Sequence, residues 1–365
     1  MVEPIREQGQ NPSPTFTGRV LMVTSEWPTP DKPYQVPFIV RQVNFLRKAG
    51  VDLHVFPFRG GKNPSNYARA WKRVQAEIQR GQFDLIHAQW GQSGLLALPK
   101  RLPLVVTFRG DDLEGIIGPS GRPTTYGRLL QMLSRMIARQ ADQVILVADR
   151  LAKHISRSDY HIIPSGLDLD LFRPIPREQA RRRLGLSTHK RYVLFAGSVG
   201  NPRKRYELAQ EAVDLLRHEL AASKASDGEN QDVELLVAAN VMHDQVPLYM
   251  NASDALLLVS LHEGSPNVVK EALACNLPVV TTDVGDVRSR LDSTTGSIIL
   301  QDDSPAGIAA ALREVLQQNQ RPNSRPTVID LDENTLTEKV IQVYRTSLLV
   351  NSKKMNAQGE MRKEL

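Results

Sequence analysis

Leu261-His-Glu-Gly-Ser-Pro-Asn-Val-Val-Lys-Glu-Ala-Leu-Ala274 follows the apolar run Ala255-Leu-Leu-Leu-Val-Ser260. The run reads as a buried strand and the stretch after it as the opening of a helix. Ser265 is a good N-cap, and Pro266 suits the first helical position, where its missing N–H is no loss. A helix that starts at the carboxyl end of a buried strand presents free backbone N–H groups and the positive end of its dipole, which suits phosphate. Glu263 stands just before this helix and Glu271 within it. Carboxylates accept hydrogen bonds from sugar hydroxyls but do not grip phosphate. Phosphate and polyol side by side suggest a nucleotide-sugar.

Working outward, strand and helix patterns alternate. Residues 19–24 read as a first strand, and a proline-rich loop covers 27–37. A helical pattern at 38–49 stops at Gly50, a strand follows at 51–58, and an amphipathic helix at 67–80 closes at Gly81. Strands at 83–88 and 104–108, a helix at 126–140, a strand at 143–147 and a short strand at 161–164 complete the first set. Residues 165–174 have the composition of a linker. The second set has strands at 192–195, 234–237, 255–259, 279–281 and 297–300, with helices beginning near Lys204, Gln245, Pro266 and Pro305. The polar, glycine-containing stretch 221–232 reads as a loop and 334–349 as a last amphipathic helix. Such alternation predicts α/β architecture: two Rossmann-like, doubly wound parallel-sheet domains whose strand carboxyl ends face a shared cleft. The expected division is a disordered lead-in at 1–18, a first domain at 19–170, a second at 171–333, a closing helix at 334–350 and a frayed tail at 351–365.

With 365 residues, the chain favours two domains over one. Its single cysteine, Cys275, cannot form an internal disulfide, which fits a reducing, cytoplasmic setting; it reads as a small buried apolar residue. No run of ~18 apolar residues suggests a membrane span, and residues 1–18 lack the apolar core of a signal peptide. The formal net charge is +6; residues 1–175 alone carry 23 Lys+Arg and 15 Asp+Glu, a net of +8, against −2 for the rest. A basic first half could meet an anionic membrane surface, at the inner face, or a polyanionic acceptor. Nothing resembles a nucleic-acid-binding module, so nucleic acid is not an expected partner.

Glu263 and Glu271, with seven residues between them, together with Glu-Gly-Ser-Pro-Asn at 263–267 and Pro-Val-Val-Thr-Thr-Asp-Val-Gly at 278–285, resemble the motif of retaining glycosyltransferases of family 4, which have the two-domain GT-B fold. Asp-Leu-Ile-His-Ala at 84–88, Ala-Asp-Gln-Val-Ile-Leu-Val at 141–147 and Ile-Pro-Ser-Gly-Leu-Asp at 163–168 are weaker landmarks of the same family, and the resemblance spans residues 19–349. It implies that the last helix crosses back to the first domain, that the donor is a nucleotide-diphosphate-sugar held by the second domain, and that no metal or other cofactor takes part. It also implies that Glu263 contacts the donor sugar and Glu271 the ribose hydroxyls.

The turn after the strand at 192–195 is Gly197-Ser-Val-Gly-Asn-Pro-Arg-Lys-Arg205. Glycine there lets backbone approach a ligand, and Arg203, Lys204 and Arg205 supply charge for a diphosphate. The resemblance assigns diphosphate binding to an Arg just after the glycine and a Lys six positions later. Lys204 matches the Lys; Ser198 occupies the Arg position, and Arg203 or Arg205 could stand in. The expected donor site is therefore Gly197, Ser198, Arg203, Lys204, Glu263, Gly264, Ser265, Pro266, Asn267, Val268 and Glu271, with Lys204 and Glu263 catalytic. Residues 237–242 would flank the base. On the acceptor side, Arg109 replaces the His common before the glycine in the family, with Asp111 and Asp112 beside it; either Arg109 holds an anionic group or it salt-bridges those aspartates. His87 reads as a satisfied core histidine. Ser-Glu-Trp-Pro at 25–28 stands where the family has a glycine-rich loop, so the acceptor, a glycan, a lipid-linked or another cell-surface precursor, is not specified. Two other classes share these features: a GT-B nucleotide-sugar epimerase, which would turn over donor without acceptor, and a non-catalytic sugar-nucleotide-binding relative.

Overall fold

The structure is a computed structural model that describes residues 16–61, 63–116, 124–227, 232–291, 295–318 and 321–361. Most of the expected lead-in therefore lies outside the described residues. Phe16 does not: it is buried against Tyr344.

The first half contains β1 (Arg19–Thr24), α1 (Pro37–Lys48), β2 (Asp52–Pro57), α2 (Pro64–Arg80), β3 (Leu85–Gln89), α3 (Gly91–Gly94), β4 (Leu104–Phe108), α4 (Asp111–Glu114), α5 (Thr125–Gln140), β5 (Gln143–Leu146) and β6 (His161–Ile162). The second contains α6 (Arg177–Leu184), β7 (Arg191–Ala196), α7 (Tyr206–Asp227), β8 (Val233–Ala238), α8 (Val246–Ala252), β9 (Ala255–Leu258), α9 (Asn267–Ala274), β10 (Val279–Thr281), β11 (Ile298–Ile299), α10 (Pro305–Gln317) and α11 (Glu333–Met361). Side-chain caps start several helices where the sequence supplies them: Asn63 accepts from Ser65 N–H, Thr124 from Gly127 N–H, and Ser304 from Gly307 N–H.

One sheet has six strands in the order β2-β1-β3-β4-β5-β6, the other five in the order β11-β10-β9-β7-β8, and every pairing is parallel. Both faces of a parallel sheet must be covered, hence the near-continuous apolar strands. Alternate residues feed opposite faces: Val20 and Met22 of β1 enter one core, Leu21 and Val23 another. The core containing Val20 is continuous through α1, α11 and α9 to Leu194 of β7 and Leu256 of β9, so the two sheets share it.

The strand order reverses between β1 and β3 in the first sheet and between β7 and β9 in the second. These are the switch points where doubly wound sheets open a crevice. From the second sheet the chain returns to the first: Leu167 N–H donates to Leu331 O and Glu333 N–H to Leu167 O, and α11 packs on α1. His87 of β3 is fully buried between Tyr344 of α11 (Nδ1 to Oη 2.7 Å) and Thr107 of β4 (Nε2 to Oγ1 2.8 Å), a satisfied core histidine.

Several elements differ from the sequence reading. Residues 221–227 continue α7 instead of looping, because Ala-Ala-Ser-Lys-Ala sustains a helix. The end of that expected loop, 228–231, lies outside the described residues. The last helix extends to Met361 through the segment expected to be a tail, whose Lys, Met, Ala and Gln residues need no core contact to favour helix. α6, rich in arginine, lies where no element was expected.

Candidate active site

The quoted stretch does not start its helix as its residues suggest. α9 begins at Asn267, and Pro266 takes the cap position. Ser265 caps nothing: its hydroxyl donates to Asp286 Oδ2 at 2.7 Å and accepts from Lys270 Nζ. Lys270 explains the change. Its side chain is 1% exposed, and a buried ammonium group requires partners. It finds them in Ser265 and in Asp286, 3.3 Å away.

A cavity of about 410 Å³ lies between the two sheets, within the size range of small-molecule sites. Its walls come from the carboxyl ends of strands on both sides. Glu26 follows β1, Trp90 follows β3 and Arg109 follows β4; Ala196 ends β7, and Glu263 follows β9. Of the expected donor residues, Arg203, Lys204, Glu263, Gly264, Ser265, Pro266, Asn267 and Val268 line it. Gly197 lies next to it in sequence, beside the Lys204 side chain, and Ser198 is not on the wall.

Lys204 Nζ donates to Glu263 Oε1 at 2.6 Å, with the two side chains 17% and 11% exposed. Burial raises the pKa of Glu263, but the charge and hydrogen bond of Lys204, aided by Arg203, outweigh it and leave the carboxyl below its usual range. It is therefore ionised at neutral pH and an acceptor on every lone pair. Arg203 reaches across the cleft to Asp111, 3.7 Å away. Arg205 faces elsewhere, donating to Val259 O and Asp303 Oδ2, so it is not the stand-in for the missing arginine. Asn267 sits at the first turn of α9, where backbone N–H groups lack intrahelical partners, and its Oδ1 is buried with no hydrogen-bond partner among the described residues.

Glu271 is not on the cavity wall. It is buried behind it, bound by His243 Nε2 at 2.9 Å and facing Arg41 of α1 at 3.6 Å. Burial raises its pKa, and these two groups more than reverse that, leaving it below the usual range. Arg41 also pairs with Glu333 at 2.9 Å and donates to Gly166 O, so the second motif glutamate stands at the junction of both domains and the closing helix. His243 follows the 237–242 turn expected to flank the base.

On the acceptor side, Arg109 makes no salt bridge with Asp111 or Asp112. Its guanidinium is held by neutral oxygens, Gln89 Oε1 at 2.8 Å, Ser165 Oγ at 3.0 Å and Gln42 Oε1 at 3.2 Å, over the ring of Phe38. Burial lowers its pKa to about 10, which leaves it charged at neutral pH beside the cavity. Asp111 lines the cavity. Asp112, expected to face the acceptor, does not: it is fully buried and accepts from the backbone N–H groups of Gly91, Arg109 and Gly110 at 3.0, 3.1 and 3.0 Å. It shapes the turn that presents Arg109.

The sequence reading passed over Glu26, which lines the cavity with a pKa raised by desolvation and then by Asp111, and Arg150. Arg150, in the turn Asp149–His154, pairs with Glu114 and donates across the cleft to Glu263 O at 3.1 Å and Gly264 O at 2.8 Å. Gly264 and Gly110 let the domains touch there; a Cβ on Gly264 would sit 2.9 Å from Arg109 O. Nothing local marks Arg150. Lys270, which the sequence reading assigned no role, carries a signal of its own: it is a lysine set among the apolar Val269, Ala272 and Leu273 of the helix.

Residues 18–171 match the family model described as Glycosyltransferase Family 4, and residues 190–318 match that described as Glycosyl transferases group 1. The chain is 27% identical over 328 residues to a putative teichuronic acid biosynthesis glycosyltransferase, TuaC, of Bacillus subtilis, covering 74% of this chain and 82% of that one. It is also 27% identical over 290 residues to a D-inositol 3-phosphate glycosyltransferase of Geodermatophilus obscurus, covering 70% of this chain and 64%, just under two thirds, of the relative. Among solved structures, it is similar to a sucrose-phosphate synthase from Thermosynechococcus elongatus (TM-score 0.74, 15% identity, 91% of this chain and 100% of that one). Another is Anabaena Alr3699/HepE, solved in complex with UDP-glucose (TM-score 0.62, 16% identity, 90% and 99%). At those identities the structures share the fold.

Proposed function

The chain belongs to the group 1, family 4 glycosyltransferases, GT-B enzymes that move a sugar from a nucleotide-sugar, and we propose that it is a retaining, metal-independent hexosyltransferase acting on a glycan, lipid-linked or other cell-surface precursor. The observation that carries the reading is the convergence of Arg203, Lys204, Glu263 and the α9 N-terminus on one cavity between the sheets. In transfer, the bond between the anomeric carbon and the diphosphate oxygen breaks, the nucleoside diphosphate leaves with the electron pair, a bond to the acceptor oxygen forms on the same face, and the acceptor hydroxyl's proton passes to the departing diphosphate oxygen. Negative charge builds on the diphosphate while the sugar gains oxocarbenium character. Lys204, Arg203 and the amides near Asn267 and Val268 oppose the first charge with fixed dipoles and cations, the kind of preorganised stabilisation that is often the largest catalytic contribution. Glu263 accepts from the donor sugar hydroxyls. Glu271 accepts from the ribose once Arg41 and His243 yield a lone pair to it. Arg109, charged and partnered by neutral groups, receives an anionic group of the acceptor or transferred sugar.

Family membership, the teichuronic acid relative and the basic first half support a cell-surface acceptor, with the protein working in the cytoplasm and touching the membrane peripherally. Among the described residues no helix is long and apolar enough to cross a membrane.

The test is a panel of nucleotide-sugars scored by thermal shift, then turnover of the best binder with and without excess chelator. One sugar nucleotide should raise Tm, and transfer should survive chelation. Complete loss on chelation, restored by magnesium or manganese, would overturn the metal-free mechanism; donor epimerisation without acceptor would overturn transfer.

A further inference from the structure

Away from the cleft, α2, α3 and α5 enclose an apolar groove of about 370 Å³, walled by Tyr67 and Trp71 of α2, Leu95 and Leu96 after α3, and Leu129 and Leu133 of α5. The apolar surface continues beyond its walls: Trp71 and Leu129, which line it, are 39% and 47% exposed, and Met132 and Met136, also on α5, are 60% and 40% exposed. Leu129, Met132 and Met136 fall at helical spacing on one stripe of α5, and Arg128, Arg135 and Arg139 form a second stripe beside it. α5 carries no acidic residue. α2 adds exposed Arg69, Lys72 and Arg73, and Glu77 is the one carboxylate on the two helices. Trp71 is held in place by its indole N–H, which donates to Leu98 O at 2.6 Å.

We propose that this face docks on an anionic lipid bilayer. An exposed apolar stripe bordered by arginine is what an interfacial helix requires: apolar side chains enter the acyl boundary while guanidinium groups meet lipid phosphates. The face carries the charge sign such a surface selects. Its position also suits a lipid-linked acceptor, so the inference rests on the acceptor class given above. Trp90 lines the active-site cavity and Gln92, two residues on, lines the groove; Gln92 Nε2 donates to Ser25 Oγ, next to Glu26 on the cavity wall. Docking through the groove sets the cleft mouth beside the membrane surface.

Co-sedimentation with phosphatidylcholine vesicles, with and without phosphatidylglycerol, tests it. The full chain should pellet with the anionic vesicles at low salt, stay in solution with phosphatidylcholine alone, and release at about 0.5 M salt, where screening extends only a few ångströms. Leu129→Ser with Met132→Ser should lower partitioning about ten-fold without moving Tm, since both side chains are exposed. Lys72→Glu with Arg128→Glu should lower it by about five-fold or more per charge. Wild-type protein that does not pellet, or variants that pellet like wild type, would overturn the proposal. So would self-association without lipid that Leu129→Ser/Met132→Ser abolishes, which would assign the groove to a second copy. Nucleotide-sugar binding by the wild type, measured alongside by calorimetry, reports separately on the enzymatic reading.

Discussion

The Lys204–Glu263 contact joins the two groups to which the proposed transfer assigns the reacting centre. In the sequence Lys204 matches the diphosphate-binding lysine that the family resemblance implies; in the fold its side chain is mostly buried, and Glu263 depends on it. In the proposed transfer, a donor diphosphate enters a cleft whose lysine is already oriented by Glu263, and shares it with that carboxylate. Lys204→Ala should lower kcat/KM by about two orders of magnitude, on the scale of a lost oxyanion donor at ~3 kcal/mol. It should also lower Tm, because it strands a buried carboxylate. Lys204→Ala combined with Glu263→Gln should recover Tm and leave turnover low, separating catalytic from structural contributions by a double-mutant cycle. Wild-type kcat/KM in the single variant would remove the assigned role.

At the scale of the element, α9 is held by a lysine, not by a cap. Lys270 binds Ser265 ahead of the helix and Asp286 in the loop after β10, so one side chain ties the glutamate loop, the helix and the next strand. Burial lowers the amine's pKa and Asp286 counters it, with the balance still below the usual lysine range. Lys270→Met should destabilise the protein by about 3–5 kcal/mol, the cost of breaking a buried pair by removing one partner. Urea midpoints measure it, and adding Asp286→Ala should recover part of the loss. An unchanged midpoint in Lys270→Met would mean that the pair does not hold the helix. The same inward pull explains why Ser265 and Pro266, good start signals by themselves, are displaced by one position.

At the scale of the whole molecule, two arginines from the first domain meet the donor-side motif: Arg150 reaches the carbonyls of Glu263 and Gly264, and Arg41 reaches Glu271. Both act across the cleft, and both couple the relative position of the domains to the motif glutamates. Arg150→Ala removes the first tie and leaves Glu114, whose side chain is 9% exposed, without its close partner. The variant should open the cleft, seen as a larger radius of gyration in small-angle scattering, and lose about ten-fold in kcat/KM, worth ~1.4 kcal/mol of contacts made on closure. A wild-type scattering profile together with wild-type kinetics would show that Arg150 does not hold the domains.

What the sequence determined by itself was whatever is local or periodic. Apolar runs such as 104–108 and 279–281 became β4 and β10 at those bounds, because a strand buried on both faces reads as a near-continuous run of β-branched and apolar residues, the buried hydroxyls of Thr107 and Thr281 each being hydrogen-bonded. Glu263 and Glu271, with the Glu-Gly-Ser-Pro-Asn and Pro-Val-Val-Thr-Thr-Asp-Val-Gly stretches around them, carried the family resemblance that implies the two-domain fold and the nucleotide-sugar. The tertiary structure alone decided which charged groups meet. Arg205 turned away while Arg203 stayed, Asp112 was buried to hold a turn, and Glu271 was taken up by His243 and Arg41. Those outcomes depend on partners up to hundreds of residues away, such as Glu333 for Arg41 and Tyr344 for His87. The energy of a buried charge is set by what the fold brings within about 4 Å of it, which spacing along the chain does not encode.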